Sequence, residues 1–393
     1  MSRSISVGID IGTYQVKVAV AESKKEGVAE LPKVIGVGYA ESRGLRHGYI
    51  LNQTDAVKSV RNAVAQAEKA AGIPIHRAFA SIGGIGLGSV ISYGTAVISR
   101  ADSEISELDV KKAVETSQQA IPSSLSVNRR IIHTIPLSYK VDGKSVLGRP
   151  EGLTGSKLEA KTHFITCFEH HVTDLVETLE ETGIEVEDVV ASPISSSLVT
   201  LTKQQKMVGS VLANIGSETV SIVVYEGGLP MSLEIFPIGS NDITNDIALG
   251  LRVPLEEAED IKRGSIVGGT YPRKKLEEII AARLSDIFEL IEAHLKKIGR
   301  NGLLPAGIVL TGGGSAIETI GDLAKSALRL PSRIAGVSFG DNIKDQIKDA
   351  SWSVAYGLCF LGLQTGEEET ASGRTLVKKT KSGLLNLFRQ FLP

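Results

Sequence analysis

Asp10, Gly12 and Thr13 occupy the turn between two apolar, strand-like runs in residues 5–22 (ISVGIDIGTYQVKVAVAE). Such a turn can aim small-residue backbone amides at a phosphate while the neighbouring carboxylate holds hydrated Mg²⁺. Residues 211–228 repeat the pattern 204 residues on: Asn214 replaces Asp10, Gly216 matches Gly12, and Val220, Ile222 and Val224 match Val16, Val18 and Val20. Two such turns could grip a polyphosphate from both sides. A third feature, Gly307–Ser315, is an apolar strand running into Gly312, Gly313 and Gly314, where the backbone can approach a flat ligand or phosphate without Cβ clashes. Glu259 and Lys262, at i and i+3 on one helix face, could hydrogen-bond a ribose or simply form a surface ion pair. Each feature alone has a plainer reading as a β-turn, a tight strand-to-helix turn or a surface pair; their combination points to a nucleotide.

Other chemistry fits less well. Gly143-Lys144-Ser145 lacks the upstream glycine of a P-loop, and no complete Gly-x-Gly-x-x-Gly follows a strand. Gly336-Val-Ser338-Phe-Gly340 has nucleophile-elbow spacing, but no helical pattern follows it. His163, His170 and His171 surround Cys167 at spacings foreign to zinc sites, and read as core or surface histidines.

These residues must be positioned by a sizeable fold. The chain has 393 residues, 42% hydrophobic and 22% charged, which allows two or three domains and excludes whole-chain disorder. Forty-three basic and 45 acidic residues leave a net charge of −2, so no global basic field recommends nucleic acid. Two distant cysteines suit a reducing compartment rather than a disulfide scaffold. No run approaches a membrane span, and the N-terminus lacks the apolar stretch of a signal peptide. Glycine is in excess, 41 residues, much of it in turns between apolar runs. Helical patterns over 55–71, 108–120, 173–181, 254–263 and 276–298 alternate with strands, which predicts an α/β fold built from two similar halves. Residues 84–163 mix alternating strands with one helix and read as a separate α+β insertion. Residues 364–381 carry no apolar period and read as a disordered linker.

The last twelve residues, SGLLNLFRQFLP, are apolar again. At ~100° per residue, Leu384, Leu385, Leu387, Phe388, Phe391 and Leu392 fill an arc of roughly 160° opposite Asn386, Arg389 and Gln390. Arg374, Lys378, Lys379 and Lys381 lie upstream with no acid after them. A helix of this kind lies in an anionic membrane interface. The five positive charges of residues 374–393 leave −7 on residues 1–373, so membrane contact is expected of the tail alone.

The order of phosphate hairpin, insertion, second phosphate hairpin, Glu-x-x-Lys helix and glycine-rich strand resembles the actin and sugar-kinase ATPase fold. Finer motifs resemble FtsA, the bacterial cell-division actin homologue: His47-Gly-Tyr-Ile-Leu, Gly152-Leu-Thr-Gly-Ser-Lys-Leu-Glu, Thr162-His-Phe-Ile-Thr, Asn241-Asp-Ile-Thr-Asn-Asp-Ile-Ala-Leu-Gly-Leu and Ala306-Gly-Ile-Val-Leu-Thr-Gly-Gly-Gly. The resemblance implies a subdomain 1A from 1–83 and 164–204, an inserted 1C from 84–163, a 2A from 205–240 and 303–363, a shortened 2B from 241–302, the linker 364–381 and a membrane-targeting helix 382–393. It implies ATP and Mg²⁺ as ligands. Asp10 (reaching the metal through water), Gly12, Thr13, Tyr14, Gln15 and Lys17 would lie at the first loop, and Asn214, Gly216, Ser217 and Gly239 at the second. Glu259 and Lys262 would face the ribose, and Gly312–Ser315 the adenosine. Implied partners are the C-terminal peptide of FtsZ, other division proteins, further copies of the chain and the anionic membrane, at the division site on the cytoplasmic face of the inner membrane.

Two departures matter. The family's second loop usually starts with Asp, whereas an amide at Asn214 can neither act as a base nor carry charge toward Mg²⁺. Ser192 also stands where related chaperone ATPases tend to place a catalytic Glu. ATP binding with weak or absent hydrolysis is therefore expected. The second departure is the short segment between Lys262 and Arg273 in 2B, where FtsZ would dock; Arg273 and Arg283 are the candidate contacts. The competing readings are a pilus-assembly actin homologue and a small-molecule kinase of the same superfamily.

Overall fold

A computed structural model describes residues 4–23, 32–265, 271–336 and 349–371. Two five-stranded sheets share one topology. The first runs Glu185–Ala191, Arg77–Ile82, Ser4–Ile11, Gln15–Ser23, Lys33–Glu41; the second runs Ser332–Ile334, Ile308–Thr311, Ser210–Ile215, Val220–Glu226, Leu229–Phe236. In each, three antiparallel strands are followed outward by two parallel ones. The hairpins even share register: Asp10 faces Lys17 and Ile11 faces Val16, while Asn214 faces Ser221 and Ile215 faces Val220. The repeat read from the sequence is thus reproduced pair by pair.

These strands are apolar on both faces because both are covered. Val16, Val18 and Val20 pack toward Val60, Ala63 and Val64 of helix Gln53–Ala71. Ala19 and Ala21 pack toward Trp352, Ala355, Tyr356 and Cys359 at the chain's far end. The expected helices form, with ends set by local chemistry. Asn52 caps Gln53–Ala71 by accepting from the Asp55 N–H, and Gly72 closes it in the left-handed region. Ser106 and Asp109 form a capping box on Glu107–Gln119. The remaining three run Glu169–Glu180, Leu255–Lys262 and Arg273–Lys297.

The insertion is a four-stranded sheet, Leu87–Val97, Lys157–Phe168, Arg129–Val141 and Lys144–Val146, with Glu107–Gln119 on one face. Its long strand runs to Phe168, past the expected edge at 163, because residues 164–167 keep pairing with both neighbours and Phe168 with Arg129. Within 241–302 the described residues form helices and no strand.

Two expectations for the C-terminal region are corrected. The resemblance assigns residues 349–363 to the second half, yet helix Ser353–Ala371 crosses back and packs on the first sheet. Its apolar residues point all round, so it needs cover on two sides. It lies between that sheet and helix Ser192–Thr200, where Ser195 Oγ donates to Val354 O at 2.8 Å. Gly8 makes this possible: a Cβ there would lie 2.2 Å from Ala355 O. The same helix continues to Ala371, eight residues into the expected linker. Once the buried turns have nucleated it, a Glu-rich extension propagates without a second nucleation cost. The rest of the linker and the apolar tail, from Leu384 to Leu392, lie outside the described residues. Among described residues no helix is long and apolar enough to cross a membrane.

Candidate functional site

The two matched turns face each other across a cavity of about 480 Å³ between the halves. Asp10, Gly12, Thr13, Tyr14, Gln15 and Lys17 line it from the first half; Asn214, Gly216, Ser217, Glu259, Lys262 and Gly312–Gly314 line it from the second. The turns close alike, through Gly12 N–H to Gln15 O at 3.2 Å and Gly216 N–H to Thr219 O at 2.9 Å. Those two amides are therefore spent on the turns themselves.

Asp10 accepts a hydrogen bond from Ser81 Oγ at 2.6 Å, and Lys17 Nζ donates to Ser351 O at 3.2 Å. Burial pushes the Asp10 carboxyl above its ordinary range, opposed by Lys17 and the Ser81 hydrogen bond. Burial likewise pushes Lys17 down, opposed by Asp10 and Asp349. A carboxyl and an amine thus stand together at one end of the cavity. Across from them Asn214 is neutral. Gly312 presses against it: at φ +86°, a Cβ would sit 2.3 Å from Asn214 Oδ1 and 2.5 Å from Ile215 O. Only glycine suits both the backbone angle and the approach.

Glu259 and Lys262 meet at 2.6 Å, with the Lys262 side chain 7% exposed, so the pair is not a plain surface contact. Lys262 Nζ also donates to Ser240 O and Thr244 Oγ1, and Thr244 Oγ1 donates to Glu259 Oε2 at 2.6 Å. Burial disfavours charge on Glu259, yet the hydrogen bonds from Lys262, Thr244 and Arg263 outweigh it and hold the carboxyl below its usual range. Burial lowers Lys262, with Glu259 pulling back. Arg263 binds Glu259 Oε1 at 2.7 Å and reaches across the cleft to Tyr14 Oη at 2.9 Å.

Two expected residues stand off the wall. Gly239 N-caps helix Ser240–Leu251 and backs the second turn, where a Cβ would meet Ser217 O at 2.4 Å. Ser315 is buried, its hydroxyl turned back to Gly312 O at 2.7 Å. Several wall residues were not anticipated, among them Ser81, Arg263, Asp349 and Ser351. Small or isolated polar residues far apart in sequence carry no spacing signal. Ser192 also lines the cavity, with no carboxylate in its place.

Arg273 is exposed and paired with Glu277 at 3.2 Å. Arg283 is held by Asp246 at 2.7 Å and Asp286 at 3.2 Å. His163 and His171 are buried and His170 stacks with Tyr49 and Phe168. No His, Cys, Asp and Glu grouping suited to a metal occurs among the described residues. Ser338 lies outside them.

The family model described as "Cell division protein FtsA" matches residues 211–357, and that described as "SHS2 domain inserted in FTSA" matches 87–166. The cell division protein FtsA of Pseudomonas aeruginosa is 32% identical over 386 residues, covering 92% of this chain and 90% of its own. Among solved structures, the PilM-PilN type IV pilus biogenesis complex superposes with a TM-score of 0.68 at 15% identity, over 91% of this chain and 98% of the other. MreB5 of Spiroplasma citri bound to ADP gives 0.52 at 12% identity, over 94% and 99%. The shared architecture is the actin-like α/β fold, with an inserted domain in this chain.

Proposed function

The chain belongs to the FtsA family of cell-division proteins, and on that premise we propose that it is an ATP-binding, polymerising tether. In this reading it holds the FtsZ ring to the cytoplasmic face of the inner membrane and recruits further division proteins. The observation that carries the nucleotide part is the pair of register-matched turns facing one cavity from two halves. The wall suits the ligand. Thr13 and Ser217 present hydroxyls beside the turns, Lys17 supplies positive charge, and the Gly312–Gly314 run admits close approach. Asp10 would hold Mg²⁺ through water, and Glu259 with Lys262 would meet the ribose. A structural relative, MreB5, is bound to ADP, which accords with this reading.

Hydrolysis is expected to be weak. Among the described residues the carboxylates on the wall are Asp10, Glu259 and Asp349. Glu259 is committed to Lys262 and Arg263, and neither Asn214 nor Ser192 can take a proton from water. The nucleotide then acts as a conformational ligand more than a substrate. For the FtsZ peptide, Arg273 is the more available candidate, since Arg283 already has two carboxylates.

Two measurements test the whole reading. Titration with a fluorescent ATP analogue and Mg²⁺ should saturate, and the immobilised C-terminal peptide of FtsZ should retain the protein. No saturable nucleotide binding up to ~1 mM, a free energy near −4 kcal/mol, would overturn the cleft assignment. A peptide that retains nothing would overturn the tether.

A further inference from the structure

Residues 43–51 form a small hairpin between the first sheet and helix Gln53–Ala71. Leu45 pairs with Ile50 and Arg46 with Tyr49, and the Leu51 and Asn52 N–H groups both donate to Gly44 O. Its tip touches both turns of the cleft. The His47 N–H donates to the Glu218 carboxylate, and His47 Nδ1 lies 3.3 Å from Glu218 O, one residue beyond Ser217. The Gly48 N–H donates to Thr13 Oγ1 at 3.1 Å. The His47 contacts reach the second half of the molecule and the Gly48 contact the first.

The other side of this hairpin meets the two chain segments on which the insertion hangs. Toward the entering segment, His47 O accepts from the Ile85 N–H at 3.2 Å. Gly48 and Gly84 lie back to back at φ +86° and +76°, and a Cβ on Gly84 would lie 2.4 Å from His47 O. Toward the leaving segment, the Tyr49 ring stacks on His170 at 5.9 Å and meets His171 edge-on at 4.6 Å. Its hydroxyl stands 2.8 Å from where a Gly86 Cβ would be, and the Phe168 N–H donates to Gly86 O, so Tyr49 sits where the two segments join.

We propose that the 43–51 hairpin transmits the state of the two phosphate-facing turns to the tilt of the insertion, with Tyr49 as the wedge. This rests on the nucleotide reading of the cleft. A ligand shifts an equilibrium only through contacts that differ between states. A polyphosphate that draws the Thr13 hydroxyl, or moves Glu218 with its half, changes what His47 and Gly48 hold. The hairpin is short and closed on itself, so its tip cannot shift without carrying Tyr49. Rooted in these two adjacent segments and touching the second sheet at Pro230 and Leu233, the insertion tilts about its root as that sheet moves with its half.

The test places spectroscopic distance probes at Asn62→Cys on helix Gln53–Ala71 and Gln118→Cys on the insertion helix of the full chain, both exposed positions. Cys167 and Cys359 are buried with thiols pushed up to about 12, so thiolate-directed labelling spares them. Adding ATP and Mg²⁺ should shift the interprobe distance in the doubly labelled protein and in its Tyr49→Phe variant. Tyr49→Ala should lose the shift while its nucleotide Kd stays within about threefold. Glu218→Ala, which cuts the relay at its other end and leaves the Tyr49 packing whole, should lose most of the shift too. A full shift in both Tyr49→Ala and Glu218→Ala, or saturating nucleotide with no shift in the parent, overturns the relay. Absence of nucleotide binding in the parent overturns the cleft reading, and the relay with it.

Discussion

At the scale of single residues, the two halves differ at the pair that decides the chemistry. Asp10 faces Lys17 across the first hairpin, and in the same register Asn214 faces Ser221 across the second. Acid and base have thus both been exchanged for neutral groups in one half. That arrangement keeps the second turn free of an unneutralised buried charge beside Gly312, at the cost of a proton acceptor. Asn214→Asp should therefore raise ATP turnover by roughly a hundredfold, the low end of what a positioned base contributes. Phosphate release under saturating ATP measures it, and an unchanged rate would show that a carboxylate here does not limit hydrolysis. Asp10, Gly12 and Asn214 were legible because a turn brings neighbours in sequence together. Ser81 and Arg263 were not. Ser81 reaches Asp10 only through parallel strand pairing, and Arg263 reaches Tyr14 only across the assembled cleft.

Among the elements, strand Lys157–Phe168 does more than extend the insertion. His163 Nδ1 meets Pro230 O at 2.8 Å, and Ser89 Oγ donates to Leu233 O at 2.9 Å while accepting from the Leu233 N–H. The insertion is thereby fastened to the edge of the second sheet. Burial lowers His163 to about 4, with the Pro230 hydrogen bond opposing, and burial lowers His171 to about 4 as well. A histidine whose folded pKa is depressed binds its proton more readily in the unfolded chain. Its share of stability is whole above pH 6.5 and is lost as pH falls from 6.5 toward about 4. For His163 the loss reaches about 3 kcal/mol at the low end, at 1.36 kcal/mol per unit. Urea unfolding at pH 7, 5.5 and 4.5 should show a falling midpoint, and His163→Gln should flatten that slope. An equal slope in the variant would place the acid sensitivity elsewhere. The sequence marked this histidine only as a core or surface residue, since its partner lies 67 positions away.

For the whole molecule, charge divides between an acidic body and a basic tail, with −2 overall concealing −7 on residues 1–373. Each basic residue near an anionic surface contributes about 1 kcal/mol, and ordering twelve residues on binding offsets much of that gain. One copy should bind membrane weakly and a polymer tightly, through effective concentration. Deleting 382–393 should abolish co-sedimentation with anionic liposomes while leaving nucleotide binding intact. Persistent co-sedimentation of the truncated protein would move the membrane contact to the body.

Local chemistry in the sequence already determined the two hairpins, the helices, the duplication and the turn residues Asp10, Gly12, Asn214 and Gly216 that line the cleft. Each of these depends on residues close along the chain or on a repeat within it. Only the tertiary structure decided that helix Ser353–Ala371 returns to the first half, that Arg263 closes on Tyr14, and that residues 43–51 join both turns to the root of the insertion. An apolar helix can bury itself against any apolar face. Which face it takes depends on where a small residue such as Gly8 lets backbones approach, and composition and periodicity do not carry that information.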